Sequence, residues 1–508
     1  MDLQKLVKRR HPEFKGKLTH WQFLHATYQG GRDWFDQHIF RYLKEGDSEF
    51  KDRKSRAYRF NHTREIVNLV NKYVFRGDIT RKKDAETAVL DFWKRTTRDG
   101  ICIDEFMRQA DIESSIYGRI WIVVDSTHKG EAVSKADERK HGSQTYAYVV
   151  PPTHMLDMGT DDDGQLLWML LYEPTRDDDD PFESSGAIED RWRLWTRNEW
   201  FLFELSNEKG PDGEPLVVER DRGVNHLGEV PVVPLDAMVC HESRYSSPAL
   251  INDIAYLDRA VANYLSNLDA IIQDQTFSQL AIPAQNMMPG DKEYNQMVAM
   301  GTNRVFVFDG GEGGSGPFFL SPDVKQAHLI LEVVGKIINE IYHSVGVAGE
   351  RTKEDNSKGI DNSSGVAKAY DFERVNSLLA SKSSALQRAE NRISRLAAMY
   401  AGVETDVDYH VVDYPKSYDV RGLTDEFAVA EQLSLIDAPE TVRREQMRSL
   451  IDKLFPNLTD DVRAAIEKEL EKFPASPDLL PGMPPLPQQQ PKQEDEDAST
   501  QQDQWTAE

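Results

Sequence analysis

Apolar residues recur at helical spacing along three long stretches of the chain, and their order gives it its shape. In the first the stripe runs through Leu250, Ile251, Ile254, Leu257, Val261, Leu265, Leu268 and Ile272. In the second it runs through Val324, Leu331, Val334, Ile338, Ile341 and Val345. Each opens on a Ser-Pro pair, Ser247-Pro248 and Ser321-Pro322, which predicts Ser as N-cap and Pro at the first helical position. At a rise of about 1.5 Å per residue the two helices reach roughly 40 Å and 35 Å. The third stretch starts near Ser364 and continues through Val366, Tyr370, Val375, Leu379, Leu386, Ile393, Leu396 and Tyr400, with Gly402 as the residue that ends it. Its length is roughly 37 residues, or about 55 Å.

Other patterns fill in the rest. Residues 1–117 read as mainly helical, with amphipathic segments at Trp21 to Leu43, Arg56 to Phe75 and Ala85 to Trp93. From Gly118 to Ala237 the period becomes strand-like, at 119–125, 146–150, 166–172, 191–196, 200–205 and 232–235, predicting an antiparallel meander. Between the first two long helices an insert at about 276–320 predicts strands at 277–282 and 304–308, a Met-rich middle and a Gly-rich tip, GGEGGSG. Gly346 to Ser363 is a polar loop whose sizeable apolar residues are Val347 and Ile360; a loop this long in a compact domain is usually functional or disordered. After Gly402, Val407 to Val412 and Tyr418 to Val420 return a strand to the β domain. Helices follow at 425–435, 440–454 and 459–472, and from Pro474 the Pro, Gln and acidic residues predict disorder.

With 508 residues the chain exceeds one core and is read as several domains. Its 39% hydrophobic content and mean hydropathy of −0.60 describe a soluble, surface-rich protein. No apolar run reaches the ~18 residues that span a membrane, and the N-terminus lacks a signal-peptide core. Cys102 and Cys240 are too few for a disulfide framework or a zinc site and read as buried, reduced thiols. The net charge is −25, yet residues 1–100 hold 23 Lys and Arg against 14 Asp and Glu, a balance of +9 that leaves −34 on the other 408. Gripping DNA means neutralising phosphates and releasing counterions, which needs basic surface. This balance argues against a DNA-binding factor but is compatible with a conduit through which DNA slides. The basic run Lys51 to Arg64 is either a nucleic-acid patch or, the reading preferred, a solvated or subunit-facing helix surface.

Individual motifs are weak. Asp161-Asp162-Asp163-Gly164 fails as an EF-hand, since the register would place Gly159 at the first ligand and Leu170 at the closing Glu, and it reads as a hairpin turn. Asp177 to Asp180 reads as an exposed loop. No Lys-Ser/Thr follows the Gly-rich tip, so it is not a P-loop, and no HExxH, G-x-S-x-G or Walker motif is present. The reading is therefore of a protein that is not an enzyme, with no catalytic residue, metal or cofactor.

Four features together carry a family resemblance. They are Arg-Ala-Tyr-Arg-Phe-Asn at 56–61 leading into Ile66 to Gly77, a meander containing the D-D-D-G hairpin, Gly228-Glu229-Val230-Pro231-Val232-Val233-Pro234 before a Ser-Pro helix, and Asn362-Ser363-Ser364-Gly365-Val366-Ala367 opening a very long helix after a polar loop. In that order they resemble the portal proteins of tailed bacteriophages, over most of the chain. The resemblance implies an α+β fold with a helical and antiparallel β wing (1–117 and 118–245) and two long stem helices (246–275 and 321–345) flanking a small α/β clip (276–320). It further implies a tunnel loop (346–363), a long wing/crown helix (364–402), a strand return and α-helical crown (403–473) and a disordered C-terminal tail (474–508).

It implies a ring, typically of twelve copies, at one capsid vertex of the virion, assembled in the host cytoplasm. Double-stranded DNA would pass through its centre. The implied partners are the large terminase subunit, a head-tail connector or adaptor protein, and the major capsid and scaffolding proteins, with no membrane; ATP hydrolysis belongs to the terminase. The stem would line the channel with Asp253, Asp258, Asp269, Glu332, Lys336 and Glu340, whose net acidity suits a low-friction wall because few counterions are released on contact. Arg351, Lys353 and Lys358 would be the DNA-touching bases of the tunnel loop. The alternative from another class is a cytosolic oligomeric scaffold or adaptor without a DNA channel, which predicts open or low-order assemblies. A third is an enzyme with a closed pocket of titratable groups.

Overall fold

The computed structural model describes residues 2–42, 45–127, 144–209, 213, 215–238, 243–276, 279–283, 305–308, 318–320, 324–346, 365–416, 418, 439–454 and 460–470. They divide into two compact units, Met1–Tyr418 and Asp419–Glu508. The fold is α+β.

The first unit begins with helices α1 (Leu3–Val7), α2 (Pro12–Gln29), α3 (Arg32–His38), α4 (Asp47–Arg56) and α5 (His62–Val74), then strand β1 (Thr80–Arg81) and helices α6 (Thr87–Lys94) and α7 (Ile103–Tyr117). The single amphipathic segment expected over Trp21 to Leu43 is two helices, because Gly30 and Gly31 take φ of +64° and +93° and turn the chain between them. The basic run 51–64 is likewise split between the end of α4 and the start of α5.

Among the described residues ten strands follow: β2 (Arg119–Ser126), β3 (Thr145–Val150), β4 (Met155–Thr160), β5 (Leu166–Tyr172), β6 (Thr175–Arg176), β7 (Ile188–Glu189), β8 (Arg191–Thr196), β9 (Glu199–Lys209), β10 (Pro215–Val224) and β11 (Val232–Asp236). Instead of one meander they make a five-stranded antiparallel sheet in the order β10-β9-β8-β5-β4, a three-stranded sheet β11-β2-β3, and the two-stranded ribbon β6-β7. Residues 120–124 of β2 are wholly buried and so read as a continuous apolar run. The D-D-D-G turn joins β4 to β5: Asp161 accepts the Gln165 N–H (2.7 Å), and Gly164 has φ of +83°. It is the hairpin expected.

Helix α8 (Ile254–Thr276), the small sheet β12 (Gln279–Pro283), β13 (Val305–Phe308) and β14 (Phe318–Leu320), and helix α9 (Val324–Ser344) form the excursion expected between the first two long helices. In the sheet β12 is central, parallel to β13 and antiparallel to β14. The expected start of the first long helix at Ser247-Pro248 is corrected: 247–250 are bound to the end of α7, where the Leu250 N–H donates to Ser115 O (3.1 Å), and the helix begins at Ile254. Gly118, at φ +87°, permits this approach, since a Cβ there would sit 1.9 Å from Ser247 O. The corresponding cap at Ser321, the Gly-rich tip and the Met-rich middle lie outside the described residues.

Helix α10 (Gly365–Tyr400) matches the third apolar stretch. It ends as expected at Gly402, φ +74°, where Val403 N–H reaches back to Ala398 O (3.1 Å). It packs on β11, β2, β3, α5, α6 and α7, and between residues 382 and 398 it is buried nearly all round. Two of its buried charged residues there, Lys382 and Glu390, are consequently paired. Lys382 Nζ meets Asp111 Oδ1 (2.8 Å), both side chains 1% exposed, and donates to Ser115 Oγ. The Arg81 Nε–H donates to Glu390 Oε1 and the Tyr414 hydroxyl to Glu390 Oε2, each at 2.6 Å; burial still pushes the Glu390 carboxyl up.

The strand after Gly402 is β15 (Val412–Asp413), and its partner is β1 in the N-terminal helical part, not the β domain. Asn391 fixes it there by accepting the Val411 and Val412 N–H groups. Cys102, a free thiol just before α7, is half-buried where full burial was expected. The second unit contains α11 (Glu440–Leu454) and α12 (Asp460–Leu470), joined by Arg448 with Glu467 (2.7 Å). The expected helix at 425–435 and the tail from 474 lie outside the described residues.

Candidate functional site

The candidate site is the helix pair α8/α9 and its seat on the N-terminal helices. The two helices pack against each other. Both are tied to the first turn of α5 by opposite ends. Near the start of α8, Asp258 Oδ2 accepts the Thr63 N–H (3.2 Å) and hydroxyl (2.8 Å). At the end of α9, the Tyr342 hydroxyl lies 3.1 Å from His62 Nδ1 and donates to Glu65 Oε2 (2.6 Å). The pair is therefore antiparallel, with the small sheet between its far ends in sequence.

Further contacts lock α8 to the basic run. Arg53 is 2% exposed; it donates to Ser266 Oγ (2.9 Å) and pairs with Glu45 (2.7 Å), whose carboxyl this hydrogen bond holds below the usual range. Arg56 lies 3.2 Å from Asp269. Arg59 stacks on Trp34, 3.9 Å from ring centre, and lies 3.8 Å from Asp258; burial lowers its pKa. Arg53, Arg56 and Arg59 are thus occupied inside the chain, which corrects the view of 51–64 as only a helix surface. Arg259 on α8 covers Phe23, Tyr256 and Phe40 at 4.7, 5.0 and 5.2 Å.

Of the residues expected to line a channel, Asp258 is fully buried and faces no outer surface. The sequence placed it on the polar side of the stripe without seeing that α5 would cover that side. Asp253 is exposed in the turn before α8, its carbonyl accepting the Tyr256 and Leu257 N–H groups. Asp269 is half-buried and paired with Arg56. Glu332, Lys336 and Glu340 are exposed and, four residues apart, share one stripe of α9. Glu332 and Lys336 pair at 2.8 Å, the hydrogen bond lowering the Glu332 pKa and raising that of Lys336. Arg351, Lys353 and Lys358 lie outside the described residues.

Two positions of the expected apolar stripes are not covered: Leu331 is 50% and Ile272 48% exposed, with Leu329 beside them in character at 61%. Deeper in the pair, Val334, Ile341, Val345, Val261 and Leu265 are buried. The anchoring residues Thr63, His62, Tyr342 and Arg59 had no signal in the sequence beyond being polar residues near apolar ones. Among the described residues no group of three or more His, Cys, Asp or Glu could hold a metal ion, and no helix is long and apolar enough to cross a membrane.

No protein-family model matches the chain, and no curated protein matches it. Among solved structures, the neck of an empty GTA particle computed with C6 symmetry aligns with 75% of this chain and 90% of that chain, at 11% identity and a TM-score of 0.37. At that distance the alignment transfers neither architecture nor role.

Proposed function

We propose that the chain is a portal-type subunit: copies close into a ring whose centre passes double-stranded DNA, with α8 and α9 as stem, the sheet β12–β14 as clip and the body around α10 as wing. The observation that carries this reading is the uneven burial of the helix pair. Its base is tied into the body by Asp258 and Tyr342, while Leu329 and Leu331 on α9 present apolar surface that is half or more exposed. A neighbouring copy would cover it, and a head-to-tail contact whose rotation closes gives a ring.

The exposed stripe Glu332, Lys336, Glu340 is the surface we assign to the channel wall, net acidic and so weakly adherent to phosphate. Arg351, Lys353 and Lys358 are assigned transient phosphate contact on the same reading. Terminase and a connector protein would dock at the clip. No chemistry is assigned to the chain itself.

Electron microscopy of the purified protein, with class averages viewed down the assembly axis, tests the proposal. Rings with a central opening wide enough for a duplex are expected. Open filaments, or compact dimers without a hole, would replace it with the oligomeric adaptor reading.

A further inference from the structure

Residues 31–42 and 45–58, which hold α3 and α4, leave the helical body and return to it at one place. The chain departs at Gly30 and Gly31, whose φ values of +64° and +93° turn it away from α2; a Cβ on Gly31 would meet no atom within 4 Å. It comes back at 59–64, where three side chains bind the last carbonyls of α2. Arg59 donates to Thr27 O, Asn61 Nδ2 to Tyr28 O (3.0 Å), and Arg64 to Tyr28 O (2.9 Å) and to Gln29 O. The excursion is thus a lobe closed at a narrow neck. Its apolar residues do not join the main core: Trp34, Ile39 and Ala57 gather with Ala262 of α8 in a small cluster of their own.

The lobe sits on one stripe of α8, formed by Ala262, Asn263, Ser266 and Asp269, and is held there largely by polar contacts. Asn263 Oδ1 accepts the Phe40 N–H (2.9 Å), and its Nδ2 donates to His38 O (3.0 Å). Arg53 spans the seam: it donates to Ser266 Oγ (2.9 Å) on α8 and, within the lobe, to Phe40 O (2.7 Å) and Glu45 (2.7 Å). Arg56 lies 3.2 Å from Asp269. Toward α2 the lobe adds the Trp34 Nε1–H to Thr27 Oγ1 (3.1 Å), beside the neck, and His38 edge-on to Phe23 (5.1 Å). A segment with so small an apolar cluster opens at a lower free energy than the core it rests on.

We infer that this lobe is a strap over α8 that lifts as one unit, turning at Gly30-Gly31 and the neck, with Arg53 as its latch. Seated, it holds α8 to the N-terminal helices along 262–269. Lifted, it uncovers Ala262 and lets that length of α8 shift along α9. The inference concerns one chain and stands whether or not copies close into a ring.

Thiol labelling reads the lifting directly. In a chain carrying Cys102→Ala and Cys240→Ala, Ala262→Cys places a thiol under the lobe and Ala389→Cys a control in the main core; the two alanines are 0% and 2% exposed. Ellman's reagent is expected to modify the Ala262→Cys thiol at least about tenfold faster than the control. Adding Ser266→Ala and Asp269→Ala should raise that rate at least about tenfold again and leave the control where it was, since two polar contacts of the seat are gone. Equal rates at the two positions overturn the inference, because the lobe then comes away only when the whole chain unfolds. A rate at 262 that the added substitutions do not change also overturns it, by showing that the stripe does not hold the lobe. Hydrogen exchange on the unaltered chain gives the same decision with no substitution to tolerate. Helices of seven and ten residues are marginal once off their seat, so the amides of α3 and α4 should exchange together and at least about tenfold faster than those of α5. Exchange of all three helices at one rate would overturn the strap.

Discussion

Thr63 gives both its backbone N–H and its hydroxyl to one oxygen of Asp258, at 3.2 and 2.8 Å, and so closes the distance between α5 of the N-terminal part and a helix nearly 200 residues later. Asp258 is fully buried with Arg59 3.8 Å away. A carboxylate here holds an element in position and offers nothing to a ligand.

Asp258→Ala is therefore expected to act on stability. It strands the Arg59 charge and the Thr63 donors in the interior, which costs roughly 3–5 kcal/mol. Asp258→Asn, which keeps an acceptor, should cost less. Urea denaturation of both variants checks this; an Asp258→Ala protein as stable as wild type would contradict the buried anchor.

The Lys382–Asp111 pair gives a second, independent test. Lys382→Met alone leaves Asp111 buried with Asn71 as its nearest hydrogen-bond donor (2.8 Å) and is expected to cost about 3–5 kcal/mol. Asp111→Leu alone should cost as much, and the double variant markedly less than the two together. A double-mutant cycle by chemical denaturation reads the coupling directly.

Glu13 predicts a pH dependence. Burial opposes its ionisation, but hydrogen bonds from Ser246, Ser243 and Lys17 outweigh that and hold its pKa at about 2. The folded pKa is depressed, so the stabilisation is present above the ordinary value of 4.5 and is lost as pH falls toward about 2. The difference in urea midpoint between wild type and Glu13→Gln should be largest near neutral pH and close across that interval.

Gly118→Ala should fail for a local reason. The residue sits at φ +87°, and the new Cβ would lie 1.9 Å from Ser247 O, a backbone atom. The left-handed conformation alone costs about 1–2 kcal/mol, and the chain from 247 to 250 must also move off α7. A lower melting temperature and lower soluble yield than for Gly16→Ala, where the same addition meets no atom within 4 Å, are expected.

Leu329→Ser and Leu331→Ser separate assembly from folding. Both side chains are at least half exposed, so the melting temperature of the dissociated chain should change little. Assembly, followed by mass photometry, should weaken for at least one of them.

The long elements were legible because they follow strong periodicities: the predicted third helix and α10 agree within a residue at each end, and the D-D-D-G turn lies where Asp163-Gly164 put it. What was not legible depends on partners distant in sequence. Ser247-Pro248 has the composition of a helix cap, yet Ser247 fills the space at Gly118 and the Leu250 N–H that follows is claimed by Ser115. β4 and β10 were missed, the first because Met155-Leu156-Asp157-Met158-Gly159 alternates poorly, the second because Glu219 to Arg222 is charged on both sides. Val412 lies within an expected strand, but nothing local names Arg81 as its partner. For the candidate site the same rule holds: Glu332, Lys336 and Glu340 could be placed on one face from their spacing, whereas the burial of Asp258 required knowing where α5 lands.

His62 and Thr63 are consecutive residues, and each holds a different leg of the helix pair. Mechanically this is a fork whose α8 leg is clamped along its length, at Asp258 by Thr63, at Ser266 by Arg53 and at Asp269 by Arg56. From Asp269 to Thr276 the leg extends about 10 Å beyond the last clamp at 1.5 Å per residue. A sideways load applied to the end of α8 therefore reaches α4, through Arg56 and Arg53, before it reaches α5.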